Sequence, residues 1–141
     1  MGSGSATKLL QLPVQLNGIG LGRPVDLLLD AAAWRVLGFV VLCGDEGRRF
    51  LPYAATDPRE SEIAVPSALL LLEDVDFYRE RTRSFRALLG SAVVSEGREA
   101  GELRDLLMTS AGTVDVLLVE QHGEIREIEP AGARIGYVRA A

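Results

Sequence analysis

Apolar residues recur along this chain in short alternating stretches set off by glycine-bearing turns, a spacing that predicts strands rather than helices. Val14 and Leu16 alternate with Gln15 ahead of Asn17-Gly18, a hairpin signal because both turn residues tolerate positive φ. A strand is expected over residues 25–29 and a turn over residues 30–35. Residues 36–43 are nearly all apolar and predict a strand covered on both faces. The same order then returns: Ala92-Val93-Val94, a turn at Glu96-Gly97, a strand within residues 101–108, a turn at Ser110-Ala111-Gly112, and a strand over residues 114–119. Five or six short strands per unit, joined by tight turns, predict a small barrel.

The recurrence is a repeat in the letters as well. Displaced by 79 positions, Leu9-Leu10 falls on Leu88-Leu89, Val14 on Val93, Gly18 on Gly97 and Gly22 on Gly101, and Asp26-Leu27-Leu28 falls on Asp105-Leu106-Leu107. With Ala32 over Ala111, nine of the 24 positions from 9 to 32 are identical, against roughly one in ten by chance in such a composition. The expected organisation is a flexible tail or cloning remnant over residues 1–8, a first repeat over 9–84 and a second over 85–141. The repeats diverge after their shared strands. The second passes from Gly123 into Glu127-Ile128-Glu129-Pro130. The first reaches the preferred counterpart, Glu62-Ile63-Ala64-Val65-Pro66, only after residues 45–61; the alternative places Pro130 on Pro52. A loop that long is functional or disordered in most compact domains. Residues 75–81 read as a strand with Val75, Phe77, Arg79 and Arg81 on one face. A helix over residues 74–89 would show only a poorly apolar stripe of Phe77, Arg81, Ser84 and Leu88. A turn at residues 82–84 and one helical turn at 85–89 complete the prediction.

The run Leu88-Leu89-Gly90-Ser91-Ala92-Val93-Val94-Ser95-Glu96-Gly97-Arg98-Glu99-Ala100-Gly101-Glu102-Leu103-Arg104-Asp105-Leu106-Leu107 resembles the opening of a PRC-barrel domain: a Leu-Gly-small-Val strand, a turn ending in Gly, a second Gly, then a Val/Leu-x-Asp strand. Residues 10–26 are similar more loosely, with Gln11 and Pro13 in place of the usual Gly and Ser. Ile63-Ala64-Val65-Pro66-Ser67-Ala68 through Phe77-Tyr78 resembles the family's Ile-Pro-x-x ending. The resemblance implies an all-β protein of two tandem small PRC-type β-barrels packed together, with short helical turns only. It also implies a docking module without catalytic residues of its own. Family members include the cytoplasmic part of the photosynthetic reaction-centre H subunit and a ribosome-maturation factor whose barrel contacts a ribosomal protein.

Composition narrows the function classes. The net charge of −5 argues against a nucleic-acid partner, since phosphate contacts need a basic surface. No apolar run approaches the ~20 residues of a membrane helix, and the first residues carry no signal-peptide pattern. A cytoplasmic protein without membrane insertion is therefore expected. The single Cys43 and single His122 exclude an internal disulfide and argue against a zinc site.

The remaining candidate sites mostly have structural readings. Gly18-Ile19-Gly20-Leu21-Gly22 resembles a phosphate loop, but such a loop opens a helix and this one precedes a strand. Asp26 and Asp105 recur together, as residues that bind backbone N–H groups do. His122 belongs to a hairpin turn, and Cys43 ends an apolar strand. No catalytic, cofactor or metal residues are expected. The candidate partner surface comprises Arg48, Arg49, Arg79, Arg81, Arg83 and Trp34. The last three arginines project to one side of the expected strand. Trp34 is an interface anchor if its turn exposes it and a core residue if it folds back. The expected function is non-catalytic docking onto another protein, or onto a second copy of this chain, with a ribosome- or RNA-associated assembly factor as the alternative.

Overall fold

The turn residues do what their chemistry predicts. In the computed structural model, which describes residues 4–135, Asn17 and Gly18 take φ of 50° and 81°, Glu96 and Gly97 take 51° and 79°, and His122 and Gly123 take 55° and 81°. Two successive left-handed residues reverse the chain with a twist that matches flanking strands. The first repeat builds β2 (Val14–Leu16), β3 (Ile19–Asp30), β4 (Arg35–Cys43) and β5 (Arg48–Pro52). The second builds β9 (Ala92–Ser95), β10 (Arg98–Met108), β11 (Val114–Gln121) and β12 (Glu124–Ile128). Between them lie β6 (Asp57–Pro58), β7 (Ile63–Ala64), the helix α2 (Val75–Arg79) and the two-residue β8 (Arg83–Ser84). Ahead of β2 stand β1 (Gly4–Ser5) and α1 (Ala6–Leu9); α3 (Phe85–Leu88) precedes β9, and β13 (Ala133–Ile135) follows β12.

The strands form two sheets, in the orders β5-β4-β3-β2-β7-β6 and β12-β11-β10-β9-β13. The protein is thus mostly β with short helices, as expected, but neither sheet closes on itself among the described residues. Two short strands lie off those paths. β8 pairs with β3, Arg83 opposite Leu29 and Ser84 opposite Leu28. β1 pairs with β10, Gly4 opposite Met108 and Ser5 opposite Leu107. These pairings are images of each other under the 79-residue displacement, so each sheet receives its extra strand from the segment that opens the other repeat. Residues 4–8, expected within a flexible tail, are therefore strand and helix.

The same side chains lock both exchanged segments. The Ser5 hydroxyl donates to the Asp105 carboxylate, which also accepts the Thr7 N–H at 3.0 Å. The Ser84 hydroxyl donates to the Asp26 carboxylate, which accepts the Arg86 N–H at 3.2 Å. Each serine also caps its own helix, accepting from Lys8 N–H and Ala87 N–H. The recurring aspartates thus serve backbone N–H groups. The turns of the two repeats meet as well: Val36 N–H donates to Gly112 O at 2.7 Å and Val114 N–H to Trp34 O at 2.8 Å.

One core results. Leu27, Leu29, Phe39, Val41 and Leu51 of the first repeat and Val93, Leu103, Leu106, Leu117 and Val119 of the second belong to one buried cluster, joined by Leu9, Phe85 and Leu88 from the exchanged helices. Among the described residues no buried side chain is polar or charged. No helix among them is long and apolar enough to cross a membrane. A second cluster of Leu28, Val40, Phe50 and Val75 lies on the opposite face of the first sheet, so β4 is covered on both faces as its composition predicts.

Residues 45–61 are ordered into β5, a 3-10 turn (Tyr53–Ala55) and β6. β5 pairs with β4 as β12 pairs with β11. Pro52 stands opposite Gly38 as Ile128 stands opposite Leu117, so residues 48–52 are the counterpart of residues 124–128; the alternative, Pro130 on Pro52, lies two positions off, and the stretch ending at Pro66 is not the counterpart. That stretch instead supplies β7, which pairs with β2 in parallel; in the second repeat the antiparallel β13 fills the same edge of β9.

The recurring Gly22 and Gly101 are not turn residues. A Cβ on either would lie 2.4 Å from a carbonyl oxygen of the neighbouring strand, that of Leu42 or Glu120, and Gly101 also has φ of 135°. Each stands beside a register shift in its hairpin, where a bulge draws backbones together. Gly22→Ala and Gly101→Ala are each expected to cost about 1–3 kcal/mol. Gly20→Ala, with nothing within 4 Å of its added Cβ, is expected to cost less than about 0.5 kcal/mol. Urea unfolding of the three variants checks the contrast.

Candidate docking surface

The candidate surface is built on residues 72–82, of which residues 72–78 cover the outer face of the first sheet. Residues 75–81, expected as a strand, contain the helix α2. The reason lies at its ends: Asp74 accepts the Phe77 N–H at 3.1 Å as N-cap, and Asp76 and Arg79 suit the first and last turns. So short a helix needs no long apolar stripe. It needs only Val75, which is buried, and Tyr78, which packs on the sheet's outer cluster.

Tyr78 stacks on Phe50 of β5, ring centroids 3.9 Å apart and planes 10° from parallel. Phe77 meets Tyr78 edge-on at 5.1 Å. The Arg81 guanidinium carbon lies 3.8 Å above the Phe77 ring, and its Nη1 donates to the Phe77 carbonyl at 2.7 Å. A ladder of Phe50, Tyr78, Phe77 and Arg81 thus runs from a buried ring to a surface cation. Phe77 is 45% exposed, so the ladder ends on an aromatic–cation pair held still from beneath. The edge of β5 below it is sealed by Leu72, which exchanges two backbone hydrogen bonds with Phe50, each of 2.8 Å.

The sequence-expected residues do not form one basic face. Arg79 ends α2 and Arg83 lies in β8, with a turn between them, so the shared strand face of Arg79, Arg81 and Arg83 does not exist. Arg48 and Arg79 line one cleft of about 260 Å³ with Glu73, Asp74 and Asp76, which balances their charge. Arg49 forks onto Asp45 at 3.1 and 2.9 Å. Trp34 is not a surface residue: at φ 53° its turn folds the indole back to 8% exposure within the shared core. The sequence pattern alone does not single out Phe77 and Tyr78 as members of the candidate surface. The legible signal of the helix that carries them is an N-cap aspartate three residues before Phe77, with a cation four residues beyond it.

The Arg49 fork, aided by the Gly47 N–H, holds the Asp45 carboxyl at a pKa of about 2, below its ordinary 3.8. A depressed carboxylate pKa means that the pair's contribution is complete above the ordinary value and is lost as pH falls through about 2. Carboxyl-carbon NMR titration is expected to place the Asp45 midpoint near pH 2, and Arg49→Gln to move it up toward 3.8. A midpoint near 3.8 in the parent would return Arg49 to the free surface.

The sequence matches no protein-family model and no curated protein.

Proposed function

We propose that this chain is a non-catalytic, cytoplasmic docking module of the PRC-barrel kind, which binds another protein through the surface of α2. The repeated strand–glycine turn–strand unit with its aspartate supports the kinship. The observation that carries the docking reading is the Phe77–Arg81 pair, an exposed aromatic and a stacked cation standing on Tyr78 and Phe50. Aromatic and arginine side chains that lose little freedom on binding are the usual centres of protein interfaces.

Affinity capture with the purified chain as bait, followed by mass spectrometry after RNase treatment, tests this reading. Phe77→Ser combined with Arg81→Ser is expected to leave the fold intact and to reduce recovery of the captured protein about tenfold or more, as loss of an interface centre does. Arg49→Ser, outside the ladder, is expected to leave recovery unchanged. Equal recovery by the double variant and the parent overturns the α2 surface as the docking site. Capture that vanishes on RNase treatment overturns protein docking in favour of the RNA-associated alternative.

A further inference from the structure

The two exchanged segments are one kind of ligand seated twice in one kind of groove. In each, a serine hydroxyl meets the aspartate of the receiving sheet, the same serine caps a four-residue helix, and a leucine four positions on is buried, Leu9 or Leu88. In each, the residue pair at the segment's start adds a short antiparallel strand. The grooves at Asp26 and Asp105 are thus strap-binding sites, and the sequence they read is Ser-apolar-x-x-Leu.

The two straps are not held equally. The residue after the serine is Phe85 in one and Ala6 in the other, both fully buried, and the phenyl ring removes several times more apolar area from water. The Arg86 Nε–H also donates to the Val25 carbonyl, and Thr7, at the equivalent position, has no side chain long enough to do so. The strap at Asp105 is the weaker of the two.

We propose that the groove beside Asp105 is an exchangeable strap site, which a second copy of this chain fills in trans with its own residues 4–10. The contacts made in trans are those already made in cis. The balance is therefore set by the effective concentration of the tethered strap, of millimolar order, and weakening the tethered strap favours the incoming one. This inference is independent of the α2 surface, since it uses the other repeat and other side chains.

The test uses the full chain and a fluorescent peptide of residues 4–11, Gly-Ser-Ala-Thr-Lys-Leu-Leu-Gln, read by anisotropy. Ser5→Ala in the protein removes the tethered strap's cap and its bond to Asp105. That chain is expected to bind the peptide about tenfold more tightly than the parent does. The same peptide with alanine in place of its serine is expected to bind the Ser5→Ala chain about tenfold more weakly. No saturable binding by the Ser5→Ala chain up to about 1 mM, the scale of the tethered competitor, overturns the proposal. So does equal affinity of parent and variant, or of the two peptides. A merely structural role for Ser5 would predict loss of stability without any gain in peptide affinity.

Discussion

The rest of the structure depends on a hydroxyl-to-carboxylate bond made twice across the repeat boundary, Ser84 to Asp26 and Ser5 to Asp105. Its consequence is topological. A repeat of this size has little interior of its own, because small domains keep too much of their surface in contact with water. Sending each repeat's opening strand and helix into the other sheet makes one interior out of two. Phe85 and Leu88 pack with the first sheet's residues, and Ala6 and Leu9 with the second's, inside a single cluster. Neither half then has a complete core without the other. The aspartate is the least replaceable member, since it accepts the serine hydroxyl, an N–H of the incoming helix and the N–H of its own neighbour, Leu27 or Leu106. A buried or half-buried strand-to-helix junction leaves N–H groups that need such an acceptor.

On that shared base the two outer faces have diverged. The first sheet's outer face is apolar at Leu28, Val40 and Phe50, and residues 72–78 cover it. On the second sheet, charged residues occupy much of the corresponding area. Arg104 bridges Glu102 and Glu120, β12 is exposed along most of its length, and Ile125 stands 57% exposed. The difference follows from letters: Phe50 has a large ring to cover, whereas β12 reads Glu-Ile-Arg-Glu-Ile. A sheet whose outward positions are charged needs no cover, and a short charged edge resists pairing with other chains.

The letters disclosed much of the fold because hairpins are local. Asn17-Gly18, Glu96-Gly97 and His122-Gly123 place three turns without reference to the rest of the chain, and the alternation beside them sets which residues face inward. The 79-residue recurrence disclosed the two-fold plan. The exchange stayed hidden because it is a question of which sheet receives a strand, and Ser5 over Ser84 is one identity in a stretch otherwise unlike, with Ala6 over Phe85. The alignment of Pro66 with Pro130 failed because both lie near apolar runs, whereas the pairing partner, β4 or β11, decides equivalence. Trp34 was readable either way, since a turn sequence does not say whether its longest side chain points out or folds beneath. The burial of Trp34 in the core shared by the two repeats settles it.

The helix in place of a strand at residues 75–79 changes what the proposed docking surface presents. Three arginines on one strand face would act as a field, weak at any one point and damped within about 8 Å at physiological salt. The helix separates them. Arg79 shares a cleft with Glu73, Asp74 and Asp76, Arg83 enters the sheet, and Arg81 is stacked on an aromatic ring. On the docking reading proposed above, such a site would select by shape and by one placed cation rather than by net charge. It is therefore compatible with a chain whose overall charge is −5. A partner reading it needs an apolar recess for Phe77 and an acceptor beside Arg81. A diffuse acidic surface, enough for a strand of arginines, would not meet that requirement.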